Sequence, residues 1–148
     1  MNAIQTPVEN GVFFEEIRRM LDQGLDASFT VTGNSMWPLW AHRRDRVVLK
    51  KVNTPLKKGD IVLFTPAEGR YMLHRIRKIS NGKIQTIGDA CCTLDGEFDP
   101  ETVLGKVVSF TRKGKNHSCH ALWYRIYSRL WLILLPLRRP LLKILRNR

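Results

Sequence analysis

Residues 71–89 read YMLHRIRKISNGKIQTIGD, and this stretch decides the fold. Two β-rich runs, Tyr71–Ile79 and Lys83–Ile87, flank Ser80-Asn81-Gly82. Asn-Gly between such runs is the strongest short-range signal for a hairpin, because both turn positions need positive φ. A two-residue Asn81-Gly82 loop makes Ser80 face Lys83, and the ladder then pairs Ile79 with Ile84, Ile76 with Ile87 and His74 with Asp89. Facing residues have Cβ atoms roughly 4.5–5.5 Å apart, close enough for an imidazole–carboxylate hydrogen bond. A bulge would shift every later pair; Asp95, six residues past Asp89, is then the alternative carboxylate.

Outward from the hairpin the pattern stays strand-like. Ala27–Thr32 alternates Phe29 and Val31 with polar residues, Arg46–Val52 is β-rich, and Lys57-Lys58-Gly59-Asp60 reads as a turn into Ile61–Phe64. Val103–Thr111 is a further strand, broken by Gly105. Before the strands, Phe13, Phe14, Ile17, Met20 and Leu21 recur at three- and four-residue spacing. They predict an amphipathic helix over Val12–Gln23, stopped by Gly24. Arg112–Ser118 reads as a polar linker, and Ala121–Arg146 returns to helical character, interrupted by Pro136 and Pro140. The expectation is a mostly β (α+β) antiparallel fold of about six strands. Its parts are an N-terminal helix in 1–26, a core over 27–111, a linker over 112–120 and a basic amphipathic tail over 121–148.

The chain has 148 residues, 43% of them apolar, and a formal net charge of +12. That length fits one compact domain and excludes a multidomain enzyme. The charge is unevenly distributed. Residues 1–101 hold 14 Lys/Arg against 13 Asp/Glu, whereas residues 102–148 hold 11 Lys/Arg and no acid. The body is nearly neutral and the last third strongly basic. Leu122, Trp123, Ile126, Leu130, Trp131 and Leu134 interleave there with Arg125, Arg129, Arg138, Arg139, Lys143 and Arg146. Apolar residues beside a wholly cationic polar face predict contact with an anionic membrane surface; the competing reading is a helix packed on the body. No nucleic-acid recognition motif accompanies the charge, so no nucleic acid is expected as a partner.

Three cysteines, Cys91, Cys92 and Cys119, are too few for a disulfide framework and predict free thiols in a reducing compartment. Met1–Asn10 carries neither the basic nor the apolar region of a signal peptide. The longest apolar run, Leu130–Leu137, spans eight residues with Pro136 counted, against about 20 for a bilayer-crossing helix. A cytoplasmic or peripheral-membrane location is therefore expected. His117-Ser118-Cys119-His120 matches no standard zinc spacing, so neither a metal nor another cofactor is expected.

A histidine held by a carboxylate is the base-and-orienter half of a nucleophilic site. Cys91 and Cys92 are poor nucleophile candidates, because the neighbouring Asp89 charge opposes thiolate formation. Ser35 is the better one. It lies in Thr32-Gly33-Asn34-Ser35-Met36-Trp37-Pro38, where Gly33 ends a strand and Pro38 prevents smooth continuation, so the serine sits at a forced bend.

Five elements then occur in order: Gly33-Asn34-Ser35-Met36-Trp37-Pro38, Lys58-Gly59-Asp60-Ile61-Val62, His74-Arg75-Ile76, Gly88-Asp89-Ala90 and Leu104-Gly105-Lys106-Val107. This set resembles the signal peptidase I/LexA superfamily of serine peptidases over about residues 27–110. The resemblance implies that Ser35, in Ser-Met-x-Pro, is the nucleophile. It implies that His74 is the base, as in the endoplasmic-reticulum, archaeal and sporulation-type branch rather than the lysine branch. It also implies that Asp89 supports the histidine. The activity implied is serine endopeptidase cleavage of a leader or signal segment through an acyl-enzyme, with the Ser35 N–H as an oxyanion donor. Many signal peptidases place a second donor, Ser or Thr, two residues before the nucleophile; here that residue is Gly33. The membrane span usual in signal peptidases is not seen, and the Ala-Gly or Cys-Gly bond of self-cleaving relatives does not occur, so a substrate in trans is expected. The competing function is a catalytically inactive, membrane-associated peptide-binding or accessory module of the same fold.

Overall fold

The computed structural model describes residues 7–67 and 70–148. Helix α1 (Pro7–Asp22) leads into β1 (Ala27–Thr30), β2 (Arg46–Lys50), β3 (Ile61–Phe64), β4 (Met72–Ser80), β5 (Lys83–Ile87), β6 (Glu97–Phe98), β7 (Val103–Arg112) and β8 (Lys115–Ser118). Two helices, α2 (Leu122–Ile133) and α3 (Arg138–Arg146), end the chain, joined by a 3₁₀ turn at Leu135–Leu137. All strands join one antiparallel sheet in the order β1-β2-β7-β3-β4-β5-β6. The ten-residue β7 is the junction of the sheet, because it pairs β2 along one side and β3 and β8 along the other. This is a mixed α+β fold with an N-terminal helix, a multi-stranded antiparallel sheet and C-terminal helices.

Strand β3 is buried along its whole length and divides the core. Ile61 and Leu63 join α1, β1, β2 and β7 in the larger cluster, while Val62 and Phe64 join Ile76 and Ile84 in a smaller one. The alternation follows from the period of two along a strand. Helix α1 reaches the sheet over Gly105: a Cβ there would stand 2.8 Å from the Leu21 side chain and 2.9 Å from the Lys50 carbonyl oxygen. The glycine that breaks the β7 pattern is the contact point of the helix.

The hairpin forms at Asn81-Gly82, both residues at positive φ (52° and 72°). Ser80 faces Lys83 and Ile79 faces Ile84, as the ladder requires. The register then shifts between Ile76 and Lys78, leaving Arg77 as the extra residue. Beyond this bulge Ile76 faces Thr86 and Arg75 faces Ile87, so the expected Ile76–Ile87 and His74–Asp89 pairs do not form.

Three other expectations change. The 112–120 linker contains β8, which turns back on β7 through Lys113 and Gly114, both at positive φ. Helix α1 begins at Pro7 rather than Val12 and runs through Asn10-Gly11. Pro136 does interrupt the tail, but Pro140 lies in the first turn of α3, where a missing N–H costs no helical bond. No helix among the described residues is long and apolar enough to cross a membrane.

Candidate active site

His74, on β4, is 7% exposed. Its Nδ1 lies 2.5 Å from Asp95 Oδ2. Asp95 is brought there by the chain beyond β5: its N–H donates to the Thr86 carbonyl (2.9 Å) and its Oδ2 accepts from Thr86 Oγ1 (2.7 Å). Thr86 faces Ile76 across the hairpin, on the sheet face that His74 shares with Ile76. A carboxylate on Nδ1 places the ring proton there and leaves the Nε2 lone pair free.

Nε2 points toward the loop that carries Ser35. A Cβ built on Gly88 would lie 3.1 Å from His74 Nε2, 2.6 Å from the Ser35 carbonyl oxygen and 2.9 Å from Cys91 Sγ. Three chemical groups therefore converge on the space that glycine leaves open. Ser35 is half-buried, in a turn in which Trp37 N–H donates to the Asn34 carbonyl (3.1 Å). The loop is fastened to the segment after β5 by Ala90 N–H on the Ser35 carbonyl (2.9 Å) and Asp89 N–H on Met36 Sδ (3.4 Å). No hydrogen bond joins the Ser35 hydroxyl to His74 among the described residues.

His42, which sequence reasoning passed over, closes the other side of the loop. Its Nδ1 accepts from Gly33 N–H (2.7 Å), and its own N–H donates to Asn34 Oδ1 (3.0 Å). Gly33 thus brings neither a hydroxyl nor a free N–H to an oxyanion.

Asp89 is not the partner of His74. It is fully buried and held by Arg75, with Nε on Oδ1 at 2.8 Å and Nη2 on Oδ2 at 2.9 Å. The bulge at Arg77 is the cause, since it carries Arg75 and His74 one step along the ladder. Tyr127 Oη also donates to Asp89 Oδ2 (3.0 Å), and Trp131 Nε1 to the Asp89 carbonyl (2.8 Å). Arg75 Nη1 reaches Ser128 Oγ, Tyr124 Oη and the Gly59 carbonyl. Burial opposes the Arg75 charge, but Asp89 together with Tyr124 and Tyr127 outweighs it and holds the guanidinium well above its ordinary value. Burial, then Asp89, pushes the Tyr127 phenol up, so it stays a donor. Asp89 is thus a structural junction among sheet, site loop and α2.

The tail packs on the body through Tyr124, Ser128, Trp131 and Leu132. Arg138, expected among the exposed cations, is fully buried. Its Nη1 donates to the carbonyls of Gly88 (3.1 Å) and Cys91 (2.9 Å), and its Nη2 to that of Trp131 (2.8 Å). Arg146 lies over the Trp37 ring, 5.6 Å from its centroid. The C-terminal helices therefore touch both loops that frame the site. Nothing in the spacing of Arg138 separates it from the solvent-facing arginines around it.

Burial, then the charge of Asp95, pushes the Cys91 thiol up. That favours a protonated, weakly nucleophilic sulfur beside a histidine whose acceptor nitrogen is free. Compared with models of known protein families and with curated proteins, the chain matches none.

Proposed function

We propose that the chain is a serine endopeptidase of the signal peptidase I/LexA-like fold, with Ser35 as nucleophile, His74 as general base and Asp95 as the carboxylate that orients it. The observation that carries this reading is the convergence of His74 Nε2 and the Ser35 backbone on one point above Gly88, with Asp95 on the opposite ring nitrogen.

The chemistry follows from those positions. Nε2 takes the Ser35 hydroxyl proton as Oγ attacks the scissile carbonyl carbon. Asp95 stabilises the imidazolium that forms, and the Ser35 N–H is the candidate donor to the oxyanion. The imidazolium then gives its proton to the leaving amine, and the C–N bond breaks to leave an acyl-Ser35 ester. Water attacks that ester with His74 again as base, releasing the acid and the serine. The substrate class is a leader or signal segment, the class acted on by the peptidases that the five ordered elements resemble.

Hydrolysis of a p-nitrophenyl ester tests the reading. Ser35→Ala and His74→Ala should each lower turnover by at least about 10³-fold while the melting temperature holds. Turnover equal in wild type and Ser35→Ala would return the chain to the inactive, peptide-binding reading.

A further inference from the structure

Helix α2 is apolar on two faces, and among the described residues the body accounts for only one of them. Tyr124, Ser128 and Trp131 face the sheet and the site loop. On the other face Leu122, Ile126, Leu130 and Ile133 follow at four-, four- and three-residue spacing, each between 49% and 71% exposed. That spacing makes one continuous stripe. Leu137, at the 3₁₀ turn, and Ile144, on α3, add two further side chains, each 57% exposed.

The charge around the stripe selects its occupant. Arg125, Arg129, Arg139, Lys143 and Arg148 are all exposed, and the chain has no carboxylate side chain after Glu101. A second copy of this face would bring like charges together, which opposes self-association. A surface with apolar depth and negative headgroups satisfies both features at once. We infer that α2 and α3 lie in the plane of an anionic lipid surface, with the Leu122–Ile133 stripe buried among the acyl chains and the cations at the headgroups.

The inference is independent of the peptidase reading, since no residue of the stripe belongs to the site. It also decides the form of the test. Removing the tail would withdraw Tyr127, Trp131 and Arg138 from the body, so truncation would confound docking with folding.

The test is flotation of the full chain with vesicles of phosphatidylcholine alone and with vesicles that also contain phosphatidylglycerol. Wild type and Ser35→Ala should float only with the anionic vesicles. Ile126→Asp/Ile133→Asp should reduce the floated fraction at least about tenfold with circular dichroism unchanged, because both positions face solvent. Arg125→Glu/Arg129→Glu should lose binding as well and keeps the test decisive if the first variant misfolds. Equal flotation with neutral vesicles, undiminished binding of both variants, or a wild-type dimer that α2 substitutions dissociate without any vesicle binding would each overturn the proposal.

Discussion

Arg75 grips Asp89 with two nitrogens, at 2.8 and 2.9 Å, and both side chains are fully excluded from solvent. The next residue back, His74, points to the opposite face of β4 and meets Asp95. Two neighbouring residues on one strand thus bind two different carboxylates, one joining the body to α2 and the other holding the imidazole.

The two carboxylates should separate in mutagenesis. Asp95→Asn should keep the fold and lower ester turnover, on the order of 10³–10⁴-fold, by losing the orientation and charge that support His74. Asp89→Asn leaves Arg75 buried without its counter-ion and should cost about 3–5 kcal/mol of stability. Urea unfolding beside initial-rate kinetics reads both effects. Unchanged turnover in a folded Asp95→Asn protein would remove Asp95 from the site.

Gly88 should tolerate no side chain. A Cβ would stand 2.6 Å from the Ser35 carbonyl oxygen, a backbone atom with no rotamer to yield. Gly88→Ala should displace the Ser35 loop from His74 and reduce turnover at least about tenfold, at a stability cost of about 1–3 kcal/mol. Turnover and the urea midpoint, compared with Gly82→Ala at the open hairpin turn as a strain-only control, check this.

Stability should fall on the acid side in part through Asp45. It is buried and accepts from Arg44, Ala41 N–H and Lys113 N–H. Burial raises its pKa, but these bonds outweigh burial and leave it lowered. A carboxylate whose folded-state pKa is depressed stabilises the fold above its unfolded pKa and loses that contribution as pH falls through the folded value. The urea midpoint of wild type should therefore drop as the medium is acidified below the ordinary carboxylate range. Asp45→Asn should be less stable at neutral pH and show a flatter acid limb.

Cys91 should behave as a bystander. Because burial and Asp95 raise its thiol pKa, iodoacetamide should modify it slowly near neutrality and faster above the ordinary thiol range, as read by mass spectrometry of the Cys91 peptide. Cys91→Ala should retain ester turnover. Loss of turnover in that variant, with Ser35→Ala active, would make the sulfur the nucleophile.

The hairpin was legible because Asn81-Gly82 is a local signal, and the strands before it because their apolar residues alternate. The bulge at Arg77 was not. Ile76 meets an acceptable neighbour in either register, Ile87 or Thr86, and the Arg75–Asp89 pair that accompanies the observed register is a tertiary contact. β8 escaped notice for a related reason: Lys115–Ser118 lies at the edge of the sheet beside β7, with no buried residue to create alternation. In α1 the apolar periodicity starts only after Asn10-Gly11, yet the helix extends back to Pro7. The Ser35 backbone and His74 Nε2 both border the space above Gly88, whereas the carboxylate on His74 is Asp95 and not Asp89. Arg138 and His42 carry no distinguishing spacing; their partners are backbone groups of distant or turn segments.

The proposed activity depends most heavily on Ser35 as a nucleophile activated by His74. Reaction of the folded full chain with a fluorophosphonate, followed by peptide mass spectrometry, tests that claim most directly. A single phosphonyl adduct should appear on the peptide containing Ser35, be absent in Ser35→Ala, and form far more slowly in His74→Ala. An unlabelled Ser35 in folded protein, or an adduct at the same rate without His74, would contradict it.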